Sequence, residues 1–244
     1  MDNNLLVVLP ALGTSVLSAI FGMAGGLMLM GIYTACLPVT QAMVLHGWTQ
    51  AVANGLRAWL LRRDIQGSVV GGYLIGAGAA WLVLRWALWV PSPLVVFLGL
   101  GAMPFLGRWL ATRLRFPDIS RSLPTAMLAG FLVNGVQGLA GVAGPLLELF
   151  FVETRLGRKE VVATKAATQM ASHLLKLVWF LEISSQRPSA ALLAAAAVAA
   201  IAGTLIGAQL LDRLSDRRFR EASRWLVLGI GSYYLLRGTR LLLN

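Results

Sequence analysis

Apolar residues run along this chain in eight blocks, separated by short loops rich in arginine, lysine and proline. The blocks cover residues 5–37, 41–61, 68–90 and 94–112, then 123–152, 160–181, 189–211 and 222–241. Most of them reach the roughly 20 residues that a helix needs to cross a hydrocarbon core. The first block of each set is longer than the rest and is broken in the middle. The breaks are Gly22-Met23-Ala24-Gly25-Gly26 and Gly141-Val142-Ala143-Gly144-Pro145. Glycine and proline at this density interrupt a helix, because one frees the backbone and the other removes a donor.

The block after each break carries a polar stripe. In the first set it holds His46, Thr49, Gln50, Asn54 and Arg57, and in the second Lys165, Thr168, Gln169, His173 and Lys176. Spacings of four, four and three put His46, Gln50, Asn54 and Arg57 on one face of a helix, and Lys165, Gln169, His173 and Lys176 repeat them. One offset of 119 residues pairs Gly22 with Gly141, His46 with Lys165, Gln50 with Gln169, Asn54 with His173 and Arg57 with Lys176. So long a register is an internal duplication, with repeat 1 at 1–115 and repeat 2 at 116–244.

Charge decides how the broken blocks run. Arg57, Lys165 and Lys176 lie inside blocks, and eighteen further basic residues lie in or near loops. If all eight blocks cross a membrane, those eighteen divide nine to nine between its sides. If the broken blocks enter and return, the division is fourteen to four, the four being Arg85, Arg187, Arg237 and Arg240. The positive-inside bias favours the second arrangement. The expected fold is therefore an all-α polytopic membrane protein of two inverted-topology repeats. Each repeat is a re-entrant, broken helical hairpin (5–37 and 123–152) plus three transmembrane helices. Backbone that turns at membrane depth must be surrounded by protein or a wet cavity, so the two hairpin tips should meet at the centre.

Composition agrees. Hydrophobic residues make up 57% of the chain and charged residues 13%, about half the share in a soluble domain. The net charge of +11 is accounted for by the loops, so no nucleic-acid partner is implied. Membrane lipid is the expected surround. No basic leader or cleavage pattern marks the start, and the single cysteine, Cys36, excludes an internal disulfide. Most tryptophans, with Tyr233 and Tyr234, fall near block ends, as interfacial anchors do.

The candidate chemistry lies at the breaks and stripes. Gly22, Gly25, Gly26, Gly141 and Gly144 would expose backbone amides where a new helix starts, which suits an anion. Discontinuous helices from two repeats form the substrate site of many secondary transporters. Gln50, Asn54, Gln169 and His173 supply hydrogen bonds, and Lys165, Lys176, Arg57 and a protonated His46 supply charge, with no acid in either stripe. A cation or metal site would need carboxylates or clustered ligands there, so no metal and no cofactor is expected, and no catalytic residue is assigned. Glu148, just beyond the second tip, either pairs with Lys165 or Lys176 or carries a coupled proton. Asn134 and Gln137, and Ser15 and Ser18, stand within reach of the same region with no role assigned.

With Phe21-Gly22-Met23-Ala24-Gly25-Gly26, Pro38 downstream, the second copy at Gly141 to Pro145 and a polar helix after each, the chain resembles the sulfite exporter TauE/SafE family. The resemblance implies a transporter, not an enzyme, in a bacterial inner membrane, exporting sulfite, sulfoacetate or related organosulfonates. The chain departs from the commoner pattern at Gly144-Pro145, where a further glycine is usual, and at Glu148 beside the tip. An anion channel on the same scaffold is the alternative. Assembly as a homodimer is compatible with the sequence without being dictated by it.

Overall fold

A computed structural model describes residues 5–21, 23–87, 90–185, 187–211 and 216–243, and among these every regular element is helical. The first half contains α1 (Leu5–Phe21), α2 (Met23–Cys36), α3 (Val39–Leu60), α4 (Gly67–Ala87) and α5 (Pro93–Arg113). The second contains α6 (Leu123–Ala140), α7 (Gly144–Leu149), α8 (Arg158–Ile183), α9 (Ala190–Leu211) and α10 (Asp216–Leu243). Helix starts follow local chemistry. The hydroxyls of Ser92 and Ser122 accept the amides of Val95 and Thr125, and a proline occupies the first turn of both α5 and α6. The carboxylate of Glu160 reaches back to the Gly157 amide at 2.8 Å and starts α8.

By length and hydropathy four helices qualify as membrane spans: α4, α5, α6 and most of α9. The striped helices α3 and α8 are long enough, at 22 and 26 residues, but their polar residues dilute the apolar signal. With the exposed apolar surfaces of α4, α9 and α10, this is a multi-pass membrane protein.

Both broken segments double back. The Tyr33 hydroxyl donates to the Val7 carbonyl at 3.0 Å, and Gly25 lies against Thr14 and Ser18. In one continuous helix Val7 and Tyr33 would be about 39 Å apart. In the second half Asp118, before α6, accepts from the Thr154 hydroxyl at 3.1 Å and the Arg155 amide at 3.3 Å, beyond α7. Arg115 pairs with Glu153 at the same place. Each segment therefore leaves and returns at one end of the bundle. The returning arms differ: α2 has 14 residues, whereas α7 has six and gives way to turns.

The helices pair in a pattern that survives exchange of the halves. α3 packs on α8 and α5 on α10, while α1 on α9 mirrors α6 on α4. Small residues let the last two seams close until backbones touch, as at Gly76 against Met127 and Phe131. The apolar cores on either side place α3 and α8 side by side at the centre, their stripes facing the hairpins. Trp179 and Tyr234, near segment ends in the sequence, are buried, so they pack inside the bundle; Trp86 and Trp109 are exposed.

Candidate functional site

α6 ends where Gly141 adopts a left-handed conformation, φ 80°, and its amide closes on the Gln137 carbonyl at 2.8 Å. A side chain would be strained there, so this glycine serves the turn. Three residues later Gly144, with Pro145, opens α7. In the first hairpin α1 ends at Phe21 and α2 begins at Met23; Gly22 lies outside the described residues.

Between the tips and the stripes lies a cavity of about 20 Å³. Its lining includes Gly26 and Ser18 from the first hairpin and Gly144, Val142, Gln137, Val133 and Leu147 from the second. His46, Gln50 and Asn54 come from α3, and Gln169 and His173 from α8. Three pairs here are related by the 119-residue offset: Ser18 with Gln137, Gln50 with Gln169, and Asn54 with His173. The lining holds no carboxylate. Gln50 Nε2, Gln137 Nε2 and His173 Nδ1 are buried and make no hydrogen bond within the protein. As oriented, the two amides offer N–H donors, and a buried donor left without an acceptor costs about 1–3 kcal/mol.

The other expected site residues are nearby with different tasks. Gly25 faces α1: a methyl group there would come within 2.6 Å of the Ser18 amide nitrogen. Its smallness lets the hairpin arms touch, the packing role of small residues in membranes. Half-buried Arg57 donates to the Ser18 carbonyl at 3.2 Å, and buried Lys176 to the Gly141 carbonyl at 2.8 Å. These two cations, equivalent by the offset, each satisfy a carbonyl at the C-terminal end of their own hairpin's first arm, where a half-helix is electronegative. Lys165 pairs with Glu148. His46 is fixed through Nε2 to the Gly26 carbonyl at 3.0 Å and through Nδ1 to Lys176 Nζ at 2.6 Å, and it meets His173 edge-on with ring centroids 5.3 Å apart.

Sequence reasoning left Val133 and Leu147 out, since nothing distinguishes an apolar cavity wall from core. Ser18 and Gln137 had a usable signal, because the offset pairs them as it pairs the glutamines. Among the described residues no three or more histidines, cysteines or carboxylates gather into a metal-binding group.

Comparison with curated proteins and with solved structures gives no match. The family model for the sulfite exporter TauE/SafE matches residues 7–234, which takes in both hairpins and both striped helices. The chain belongs to the sulfite exporter TauE/SafE family of membrane transporters.

Proposed function

We propose that this protein is a secondary transporter that exports a small sulfur-containing anion, such as sulfite, sulfoacetate or a related organosulfonate, across a bacterial inner membrane. The observation that carries this reading is the character of the cavity: buried amide donors without partners, a lysine one turn away, and no carboxylate in its walls. An oxyanion has the acceptors those donors lack. In this reading Gln50, Gln137 and Gln169 hydrogen-bond the oxyanion, with Asn54 and His173 completing the shell. The backbone at Gly26 and Gly144 forms its floor. Lys176 supplies charge directly, and Arg57 and Lys165 act at one remove by holding the hairpins.

Size supports a moving site. About 20 Å³ is space for one water-sized occupant. A sulfite-sized anion needs the walls to part, and those walls belong to both halves. Alternating access by rocking of two inverted repeats about this cavity is the motion the reading requires. The exchangeable helix pairing and the two hairpins supply the symmetry for it.

Counterflow in proteoliposomes tests the proposal. Vesicles loaded with sulfite, sulfoacetate, taurine or sulfate in turn are diluted into labelled sulfite. Accumulation driven by one of these anions, and lost in Gln50→Leu and Gln137→Leu, is the expected result. Conductance without counterflow identifies a channel instead, and neither signal in tight, loaded vesicles overturns the proposal.

A further inference from the structure

Three of the polar grips around the cavity stay within one half. His46 holds Gly26, Arg57 holds Ser18, and Lys165 holds Glu148. Lys176 differs: beyond its own hairpin tip it reaches His46 of the other half, at 2.6 Å. Among the described residues this is where a hydrogen bond joins ionisable side chains of the two halves beside the cavity.

The hydrogen bonds fix the chemistry of that meeting. A carbonyl only accepts, so His46 Nε2 carries the ring proton and donates to Gly26. Nδ1 is then a lone pair, and it accepts from Lys176. His46 is neutral here, and its lone pair occupies a donor of the lysine ammonium that an anion would otherwise take. A second proton on the ring would replace the lone pair with an N–H facing another N–H. The latch would open, and both side chains would become donors.

The surroundings leave His46 few other charged neighbours. The helices packed on α3 are α2, α8 and α9. From α8 it faces Lys176 and His173. From α2 it faces the Gly26 carbonyl, while Tyr33 turns to Val7. α9 carries no ionisable residue, and Arg57, on α3 itself, is engaged with Ser18.

We propose that His46 is the proton site that couples anion movement to proton movement. The anion arrives with one proton from the loading side. That proton binds Nδ1, the contact with Lys176 breaks, and His46 and Lys176 both donate to the anion's oxygens. Lys176 keeps its ammonium throughout, and only the Nδ1–H bond forms and later breaks, its proton leaving with the anion on the far side. A dianion is thereby matched by two cations. A proton alone would leave two adjacent buried cations and a dianion alone a net negative charge, both costly away from water. Release of the latch is also what frees the halves to move.

The inference rests on the anion-transport reading, and the test separates the two. Wild-type protein, His46→Gln and Glu148→Gln are reconstituted, and labelled sulfite is followed both in counterflow and under a one-unit pH gradient, acid outside, with the membrane potential clamped at zero. One proton per dianion corresponds to roughly tenfold accumulation per pH unit. Glutamine keeps a donor and an acceptor but takes no proton near neutral pH. The plateau ratio is set by stoichiometry and not by rate, so the expected result is a ratio near onefold in His46→Gln at a reduced counterflow rate, while Glu148→Gln, outside the binding shell, keeps the wild-type ratio. Accumulation persisting in His46→Gln means that the proton travels elsewhere and overturns the inference, as does wild-type counterflow with no response to the gradient. Absence of wild-type counterflow instead removes the transport reading. Should His46→Gln lose the fold or all counterflow, His46→Asn is judged by the same two readouts.

Discussion

Two adjacent glycines of the first break should respond to alanine in opposite ways. At Gly25 a methyl group collides with α1 backbone, overlapping the Thr14 carbonyl and lying 2.6 Å from the Ser18 amide nitrogen. An ordinary contact begins near 3.4 Å, so the hairpin arms must separate. Overpacking of this kind costs about 1–3 kcal/mol, against a gain of up to about 1 kcal/mol from replacing glycine in a helix. Because the obstacles are backbone atoms the upper part of that range, about 2–3 kcal/mol, applies, and the net loss of about 1–2 kcal/mol corresponds to roughly 2–8 °C in Tm for a chain of this size. At Gly26 the methyl group meets Gln50 Oε1 at 3.5 Å and His46 Nε2 at 3.9 Å, both ordinary contacts, and it points into the cavity. A methyl group is about the size of the single water-sized occupant the cavity admits. Gly26→Ala should therefore unfold at or slightly above the wild-type temperature and lose anion counterflow. Gly25→Ala should unfold lower. Thermal unfolding in detergent, with counterflow normalised to folded protein, reads both. Wild-type transport by Gly26→Ala would refute the placement of the site, and an unchanged Tm in Gly25→Ala would refute the packing argument.

Removing the Lys176 amine in Lys176→Met leaves His46 Nδ1 and the Gly141 carbonyl buried without a donor, at about 1–3 kcal/mol each, offset in part because no ammonium is then desolvated. A Tm lower by several degrees with counterflow abolished is expected, and wild-type counterflow would remove Lys176 from the site. Burial alone would raise the pKa of Asp118, but hydrogen bonds from the Ser120 hydroxyl and amide, the Arg155 amide and the Thr154 hydroxyl outweigh it and hold the carboxyl below its usual value. Its contribution is therefore present in full above the unfolded carboxylate value and is lost as pH falls through the lower folded one. Asp118→Ala should flatten the acid side of the wild-type stability-against-pH curve, and parallel curves would show the clasp to be without effect.

Much of this arrangement was legible in the sequence because it depends on pattern. Helix breaks need glycine or proline, spanning segments need apolar length, and the 119-residue register put Gln50 beside Gln169 and Asn54 beside His173, which the cavity brings together. Orientation was less legible. Gly25 and Gly26 are identical in composition, yet only contact with α1 shows that one closes the hairpin and the other lines the cavity. The cations looked like substrate charge, but Arg57 and Lys176 first satisfy helix-end carbonyls. That need arises from where a helix stops in space. The meeting of Lys176 with His46 was hidden for a related reason: periodicity gives each helix its face and leaves the crossing of two helices open. The brevity of α7 was also unmarked, since residues 150–152, Phe-Phe-Val, read as a continuing apolar helix but form turns.

Positions related by the 119-residue offset grip the two returning arms with different chemistry. His46 holds α2 through a backbone carbonyl, and its equivalent Lys165 holds α7 through Glu148. The first grip is buried and involves a neutral ring, so it contributes about 0.5–1.5 kcal/mol. The second is an ion pair with its two side chains 18% and 40% exposed, which limits it to roughly 0–1 kcal/mol. Two grips of similar size let neither hairpin dominate, which is what the proposed rocking between states of near-equal energy would need. Their salt dependence differs. Mobile ions screen an exposed pair over about 8 Å at physiological ionic strength and over about 3 Å at 1 M, but they do not reach a buried N–H···O bond. Raising salt should therefore speed amide hydrogen exchange across Gly144–Leu149 and leave Met23–Cys36 unchanged. Glu148→Gln should reproduce the high-salt pattern in low salt while retaining gradient-driven accumulation, since the ion pair steadies α7 without carrying the proton. Equal salt sensitivity in both arms, or loss of proton coupling in Glu148→Gln, would show instead that the second grip takes part in transport chemistry.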